Sequence, residues 1–197
     1  MLSLDFLPDD VALLRSFVAD QAELIEHINE LCQQSPLRRM RTPGGRWMSA
    51  EMSNCGSLGW VSDERGYRYT TLDPSSGLAW PQMPVEFATL ARGAAQRAGF
   101  GDFEPDACLI NCYREGAQMG AHRDADERDF TQPIVSVSLG APAVFLWYGA
   151  RRAGKPVRIP LAPGDVLVWG RGARKGYHAV QRPTSGVRYN LTFRKAG

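Results

Sequence analysis

Three residues of this sequence have the side-chain types that a metal site requires. His122 and Asp124 are separated by a single residue, and His178 lies further along the chain. Two imidazoles and one carboxylate leave coordination positions open and are typical ligands of non-haem Fe(II), although zinc accepts the same groups. Because side chains on an extended segment alternate with period two, His122 and Asp124 can reach one ion. The pattern predicts a metal site, while a chance arrangement of surface residues stays open at this point.

A strand-like segment near the C-terminus, residues 188–194, carries two arginines on one face. Period two places four polar residues on that face: Arg188, Asn190, Thr192 and Arg194. This face would be exposed in an ordinary sandwich, but it would line the interior of a closed jelly roll. An enclosed arginine needs an anion, and its planar fork pairs well with a carboxylate. 2-Oxoglutarate supplies two carboxylates, so we assign the distal one to Arg194 and expect Arg188 to lie nearer the metal.

Another segment, CLINCY at residues 108–113, follows the same geometry. Leu109, Asn111 and Tyr113 share one face and offer an apolar wall, an amide and a phenol. Taken alone, each segment is compatible with an ordinary amphipathic strand. Taken together, the faces indicate a pocket that holds a co-substrate beside the metal.

The elements that must position these residues include two amphipathic helices. The first is predicted over residues 20–34, where Asp20 and Glu23 have capping-box spacing. The second is predicted over residues 84–98, with Gly99 as its stop. Both have an apolar stripe that must pack against another layer.

From about residue 105 onward the pattern is β. In residues 134–140, IVSVSLG, apolar residues alternate with serines as on a half-buried strand. Several short segments of the same kind follow, separated by glycine and proline turns and by basic loops at 151–155 and 171–176. Many short strands without intervening helices predict a jelly roll, sandwich or small barrel over about 105–197. The basic loops could contact phosphates, although such residues are commonly just solvated.

Residues 35–83 differ from the rest of the chain because glycines and prolines punctuate a stretch rich in tryptophan and tyrosine. Short strands and loops fit this composition best. The aromatic residues could be the core of an irregular outer layer, or they could belong to a recognition lid.

The composition of the chain limits the classes of protein to which it can belong. With 197 residues, 44% hydrophobic and 22% charged, the chain fits one catalytic domain over 1–197. The absence of a long apolar segment or a signal-peptide pattern favours a cytoplasmic protein without membrane contact. The four cysteines have no CxxC spacing, which fits a reducing compartment. A net charge of +2 permits an anionic partner without requiring one.

These residues together resemble the AlkB family of Fe(II)/2-oxoglutarate-dependent nucleic-acid dealkylating dioxygenases, over nearly the whole chain. The matching segments are SPLRRMRTPGG at 35–45, MSNCGSLGW at 52–60, PDACLINCY at 105–113, HRDADE at 122–127, PIVSVSLG at 133–140 and RYNLTFR at 188–194. The resemblance implies a mainly β fold with flanking helices, in which a double-stranded β-helix (jelly-roll) core follows N-terminal helices and a nucleotide-recognition lid at about 35–83.

The resemblance also implies a role for individual residues. Those matching the iron ligands are His122, Asp124 and His178. Those matching the 2-oxoglutarate contacts are Leu109, Asn111, Tyr113, Arg188, Asn190 and Arg194. Those matching contacts to the target base and its phosphate are Trp60, Tyr67, Asp126, Glu127, Arg152, Thr42 and Met52, with Asp126 also expected to take part in catalysis. Arg46 departs from the family, since the best-known members carry an aromatic residue there.

The implied activity is oxidative demethylation of bases such as 1-methyladenine and 3-methylcytosine in single- or double-stranded DNA, or in RNA, by a monomer. It would consume Fe(II)-activated O2 and 2-oxoglutarate and release formaldehyde, succinate and CO2. One competing hypothesis is a related oxygenase that acts on a protein or a small molecule. Another is a non-enzymatic jelly-roll binding module, in which His122 and Asp124 are incidental.

Overall fold

Strands dominate the computed structural model, which describes Leu7 and residues 10–197. In these residues the α-helices are α1 (Ala22–Gln34) and α2 (Val85–Arg97). The strands described are β1 (Val11–Leu14), β2 (Arg38–Arg41), β3 (Trp47–Gly56), β4 (Gly59–Asp63), β5 (Gly66–Thr70), β6 (Ala107–Tyr113), β7 (Met119–His122), β8 (Ile134–Gly140), β9 (Ala143–Gly149), β10 (Val157–Leu161), β11 (Val166–Trp169), β12 (Tyr177–Val180) and β13 (Arg188–Arg194). Neither described α-helix has the length and apolar character of a membrane span.

Two antiparallel sheets form the core. The larger sheet has the order β1-β11-β8-β13-β6-β3-β2, and the smaller has the order β10-β9-β12-β7. Aromatic residues of the smaller sheet, Phe145 and Trp147, pack against Tyr113 and Trp169 of the larger one. The predicted mainly β fold with a jelly-roll core is confirmed.

Both α-helices cover the outer face of the larger sheet. Ile28 of α1 and Phe87 of α2 belong to one buried cluster with apolar residues of β6, β8, β11 and β13. The predicted capping box of α1 does not form, because Gln21 occupies the N-cap position and Asp20 accepts a hydrogen bond from the backbone of Ala22. The side chain of Gln21 instead accepts a hydrogen bond from the backbone N–H of Gly140 at 3.0 Å, which ties the start of α1 to the end of β8.

The alternation in β13 divides its residues between two environments. Leu191 and Phe193 pack under the helices, while Arg188, Asn190, Thr192 and Arg194 point between the sheets and are buried. β8 lies beside β13 and follows the same rule. The prediction of a half-buried β8 was wrong, because Ser136 and Ser138 face the enclosed interior and accept hydrogen bonds from Asn190 and Arg188.

The aromatic segment at 35–83, which we call the lid, forms β2 to β5. Its strands β2 and β3 extend the larger sheet, whereas β4 and β5 form a separate two-stranded sheet. Trp80 is buried in the lid, and its indole N–H donates to the backbone carbonyl of Thr70 at 2.9 Å. Gly59 allows this packing, because a Cβ there would lie 2.3 Å from the Trp80 ring. Other lid aromatics are not core residues, since Trp47 is 61% exposed and Tyr67 is 46% exposed. The expectation of core aromatic residues therefore holds for Trp80, while the recognition role of the exposed ones stays a prediction.

Candidate active site

The predicted metal ligands come together at the edge of the smaller sheet. His122 ends β7 and is the direct cross-strand neighbour of His178 on β12. Asp124 follows in the loop after β7, and its carboxylate oxygens lie 3.9 Å from Nε2 of His122 and 3.8 Å from Nε2 of His178. One ligand atom from each residue can therefore reach a common ion, since these atoms lie within 4.8 Å of one another.

Hydrogen bonds prepare both imidazoles for a metal. Nδ1 of His122 lies 2.8 Å from the carbonyl oxygen of Gly120, and Nδ1 of His178 lies 3.1 Å from that of Gly176. Because a carbonyl oxygen only accepts, each Nδ1 carries the proton and each Nε2 presents a lone pair toward Asp124. Within the described residues, the buried Oδ2 of Asp124 has no hydrogen-bond donor. These donor atoms fit a divalent cation of the Fe(II) type.

The surroundings keep the site in the protonation state that a metal needs. Burial, and next the neighbouring His122, lower the pKa of His178 to about 3, so His178 is neutral at physiological pH. Phe145 stacks on the His178 ring at a centroid distance of 5.2 Å, and Trp169 meets it edge-on at 5.1 Å. Burial raises the pKa of Asp124, but Arg194 and the two histidines more than offset this and hold it well below its usual range.

A cavity of about 740 Å³ opens onto the metal ligands. Its wall contains most of the predicted co-substrate residues, namely Leu109, Asn111, Tyr113, Asn190 and Arg194. Asn190 is fixed by donating to Ser136 and to the carbonyl of Val137 at 2.8 and 2.9 Å. In the described part of the chain, the buried Oδ1 of Asn111 has no donor and is free to accept one from a ligand.

The two arginines of β13 lie at opposite ends of the strand, in the reverse of the predicted order. Arg194 lies beside the metal group, with Nη2 3.0 Å from Oδ1 of Asp124. Arg188 is six residues away, or about 20 Å along the strand. It lies over the Tyr113 ring at 5.1 Å, behind the cavity wall. The expectation that Arg188 lies nearer the metal was therefore wrong, because strand polarity relative to the metal cannot be read from alternation alone.

Arg188 has the properties of an anion clamp. It is 1% exposed, and its Nη2 donates a hydrogen bond to the Ser138 hydroxyl at 3.1 Å. Among the described residues, none accepts a hydrogen bond from its Nε or Nη1. Burial lowers the pKa of Arg188, although the neighbouring Tyr113 opposes this. A buried guanidinium with free donors is best stabilised by a carboxylate.

The lid places its predicted base contacts over the mouth of the same cavity. Trp60 and Tyr67 stack at a centroid distance of 5.6 Å, and the Trp60 indole N–H donates to Asp126 at 2.8 Å. The other predicted base and phosphate contacts in the cavity wall are Thr42, Met52 and Arg152. Arg152 donates to the carbonyl of Ala121 at 3.0 Å, next to His122. Arg46, the departure from the family, also lies in this wall.

Glu127 does not lie in the cavity wall, unlike its predicted position. It is 5% exposed and forms ion pairs of 2.8 Å with Arg174 and 3.1 Å with Arg194. The Tyr69 hydroxyl donates to it at 2.7 Å. Glu127 thus balances the two arginines that surround Asp124.

The basic loop at 171–176 also differs from its prediction. It is a 3-10 helix, Arg171–Lys175, and its Arg174 is buried. Arg174 donates to the carbonyl of Asp124 at 3.0 Å and thereby holds the loop that carries this ligand. Sequence reasoning missed Arg174, and it missed Tyr69 and the aromatic packing of His178. Only the packing had a sequence signal, since alternation puts Phe145 and Trp147 of β9 on one face, and both stack on His178.

Comparison with known proteins agrees with this geometry. The sequence profile of the 2OG-Fe(II) oxygenase superfamily matches residues 10–194. The alpha-ketoglutarate-dependent dioxygenase AlkB of Escherichia coli (strain K12) is 49% identical over 193 residues, which cover 94% of this chain and 89% of that protein. The tRNA demethylase abh1 of Schizosaccharomyces pombe is 32% identical over 144 residues, which cover 71% of this chain and 47% of that protein.

The solved structure of OsALKBH1 has a TM-score of 0.78 at 28% identity and covers 96% of this chain and 100% of its own. The resemblance to the AlkB family is confirmed by these relatives. Enzymes of this superfamily use Fe(II), 2-oxoglutarate and O2, and the His122, Asp124 and His178 group fits the iron. Since the profile spans nearly the whole chain and the AlkB relative covers almost all of it, this chain belongs to the 2OG-Fe(II) oxygenase superfamily.

Proposed function

We propose that this dioxygenase removes methyl groups from N-alkylated bases such as 1-methyladenine and 3-methylcytosine in DNA, with RNA as a second substrate. The observation that carries the proposal is the shared cavity, whose wall contains both the metal group and the stacked pair Trp60 and Tyr67. A planar base held by this pair would direct its methyl group toward the metal.

His122, Asp124 and His178 would hold Fe(II) through two Nε2 atoms and one carboxylate oxygen. Arg188 and Tyr113 would bind the distal carboxylate of 2-oxoglutarate, while Asn111, Asn190, Leu109 and Arg194 would orient the end that reaches the metal. When bound, iron with O2 and 2-oxoglutarate supplies oxidation of the methyl C–H bond, which yields formaldehyde, succinate and CO2. The chain's own contribution is to position these groups and exclude water.

Asp126 gives the site a preference for cationic bases. Its carboxylate lies at the cavity mouth and is oriented by the Trp60 indole. 1-Methyladenine and 3-methylcytosine carry positive charge, so a nearby carboxylate favours them over neutral bases. Stacking on Trp60 adds about 1 to 3 kcal/mol and accepts any base. Asp126 would thus contact the substrate at the reacting end, while Thr42, Met52 and Arg152 would line the base and phosphate path.

The target base must leave a duplex or come from a single strand, because a methyl group inside a base stack cannot reach the iron. Methylation weakens base pairing and so lowers the cost of flipping. We infer that the whole chain acts as one catalytic domain, in which the lid at 35–83 adds β2 and β3 to the larger sheet and lines the cavity of the core at about 105–197 with Trp60 and Tyr67. We further infer that it works as a monomer in the cytoplasm.

Formaldehyde release from a methylated oligonucleotide tests the proposal. We expect formaldehyde and succinate in equal amounts from single-stranded DNA containing 1-methyladenine, in the presence of Fe(II), 2-oxoglutarate and O2. The Asp124→Ala variant is the matched control and should release neither. Succinate without formaldehyde across methylated DNA and RNA substrates would instead indicate an oxygenase of the same family with a different substrate.

A further inference from the structure

Trp47 lies at the cavity mouth with most of its side chain in solvent. It is 61% exposed, whereas Trp80 of the same lid is 4% exposed. The guanidinium of Arg41 lies 4.3 Å from the centre of the indole, so one face of Trp47 is covered and the other is open. An indole that is held by a cation on one face and is accessible on the other can stack on the planar ring of a ligand.

Arg41, which covers Trp47, also lines a second cavity. This second cavity is a groove of about 600 Å³, and Arg39, Arg41 and Arg65 line it together with Asp63 and Glu64. Asp63 is neutralised by Arg68 at 2.7 Å and Arg65 at 3.2 Å. Arg39 faces Glu51 across the strand pair, but Glu51 is bound by Arg114 at 2.9 Å.

Four arginines line the groove, at positions 38, 39, 41 and 65, against the two carboxylates of Asp63 and Glu64, so its net positive charge favours an anionic chain. Within the described residues, neither Arg39 nor Arg41 has a carboxylate within 4.0 Å. Arg46, next to Trp47, has no such partner among these residues either and lies in the wall of the catalytic cavity. A positive path therefore runs from the catalytic cavity, past Trp47, into the groove. An aromatic plane beside a positive groove is the arrangement that binds single-stranded nucleic acid.

We propose that Trp47 and Arg41 form a stacking platform for the base next to the target base, with the following phosphates held by Arg41 and Arg39. The inference rests on the proposed function, because it names the neighbouring nucleotide as part of the substrate. The platform would make the enzyme select a strand over an isolated nucleotide. It would tolerate any neighbouring base, since every base has a π face.

Binding to unmethylated single-stranded DNA tests the platform without any turnover, so it is independent of whether the chain demethylates. The probe is a fluorescein-labelled pentathymidylate, followed by anisotropy. We expect Trp47→Ala to weaken binding by about tenfold or more, and Trp47→Phe to recover most of the loss. Val85→Ala, at another exposed apolar residue that lies in neither cavity wall, should bind like the wild type.

Arg41 has its own signature in the same assay. Arg41→Ala should weaken binding and also reduce the slope of log Kd against log salt by roughly 0.7, the value for one single-strand phosphate. Arg97→Ala, which removes an exposed arginine from the end of α2, should leave the slope unchanged. Wild-type affinity in both Trp47→Ala and Arg41→Ala would overturn the platform. Equal binding by Trp47→Ala and Trp47→Phe, both weakened, would also overturn it, because stacking would not be the cause.

Discussion

The hydroxyl of Tyr69 donates a hydrogen bond of 2.7 Å to the carboxylate of Glu127 and so joins the lid to the loop that carries the metal ligand Asp124. Glu127 in turn pairs with Arg194, which lies 3.0 Å from Asp124. A second link joins Trp60 to Asp126 in the same loop. One polar network therefore connects the lid with the metal group, so a substitution in the lid should also affect the metal group.

Tyr69→Phe tests this connection. It removes the hydroxyl while keeping the ring, and it leaves Glu127 with its two arginines. We expect the free energy of unfolding to fall by about 1 to 3 kcal/mol, because a hydrogen bond to a buried charge is lost. Urea unfolding measures the change. Tyr67→Phe is the control, since this exposed residue should lose less than about 0.5 kcal/mol. Equal losses in the two variants would show that the Tyr69 link contributes nothing specific.

The position of Arg188 predicts which carboxylate it binds. Arg188→Ala should weaken 2-oxoglutarate binding by about 30-fold or more, because one partner of a buried ion pair is removed. The same variant should bind 2-oxovalerate, which lacks the distal carboxylate, nearly as well as the wild type does. Competition binding under anaerobic conditions measures both constants.

Arg194→Ala serves as the contrast, since Arg194 supports Asp124 and should affect both compounds alike. If Arg194→Ala lost 2-oxoglutarate selectively while Arg188→Ala did not, the carboxylate assignment would have to be reversed.

The buried neutral His178 should make the metal-free protein sensitive to acid. Its pKa is about 3 in the folded chain and near 6.5 when unfolded. Between these values the unfolded state binds a proton that the folded state does not, so stability falls as pH decreases below about 6.5. The loss approaches about 1.4 kcal/mol per pH unit.

Urea unfolding of metal-free wild type and His178→Gln between pH 7 and pH 5 measures this effect. The glutamine variant cannot titrate at this position and should show a shallower dependence. Parallel curves for the two proteins would mean that His178 is protonated alike in both states.

Asp126 should act through its charge. Asp126→Asn keeps a hydrogen-bond acceptor for the Trp60 indole but removes the negative charge. We expect kcat/KM for 3-methylcytosine, a cation, to fall about tenfold relative to that for 3-methylthymine, which is neutral. Formaldehyde release from matched single-stranded oligonucleotides measures the ratio. An unchanged ratio would remove Asp126 from base selection.

Much of this architecture was predictable because alternation is strict on buried strands. The faces of β6 and β13 followed from period two. His122 and Asp124 also converge, as predicted, but Asp124 does so from the loop after β7. Alternation could not predict which end of β13 lies at the metal. That depends on the pairing of His122 with His178 and of β13 with β6 and β8, which are contacts between distant parts of the chain.

The predictions were also wrong for charged residues that the fold buries. Glu127 and Arg174 look like surface residues in the sequence, because charged side chains are seldom fully buried. They are buried here because they neutralise each other at 2.8 Å and hold the loop around Asp124. Residues 127 and 174 are neighbours in the fold but distant in the sequence, so no local sequence pattern predicts their pairing.

The central claim is that one cavity holds both the iron group and the methylated base. Oxygen-dependent demethylation of single-stranded DNA containing 1-methyladenine tests it most directly, in protein first loaded with Fe(II) and 2-oxoglutarate without oxygen. Admission of O2 should release one formaldehyde per repaired base in the wild type and none in Asp124→Ala. Binding of Fe(II) and 2-oxoglutarate by the wild type, followed by no formaldehyde from this substrate, would contradict the claim.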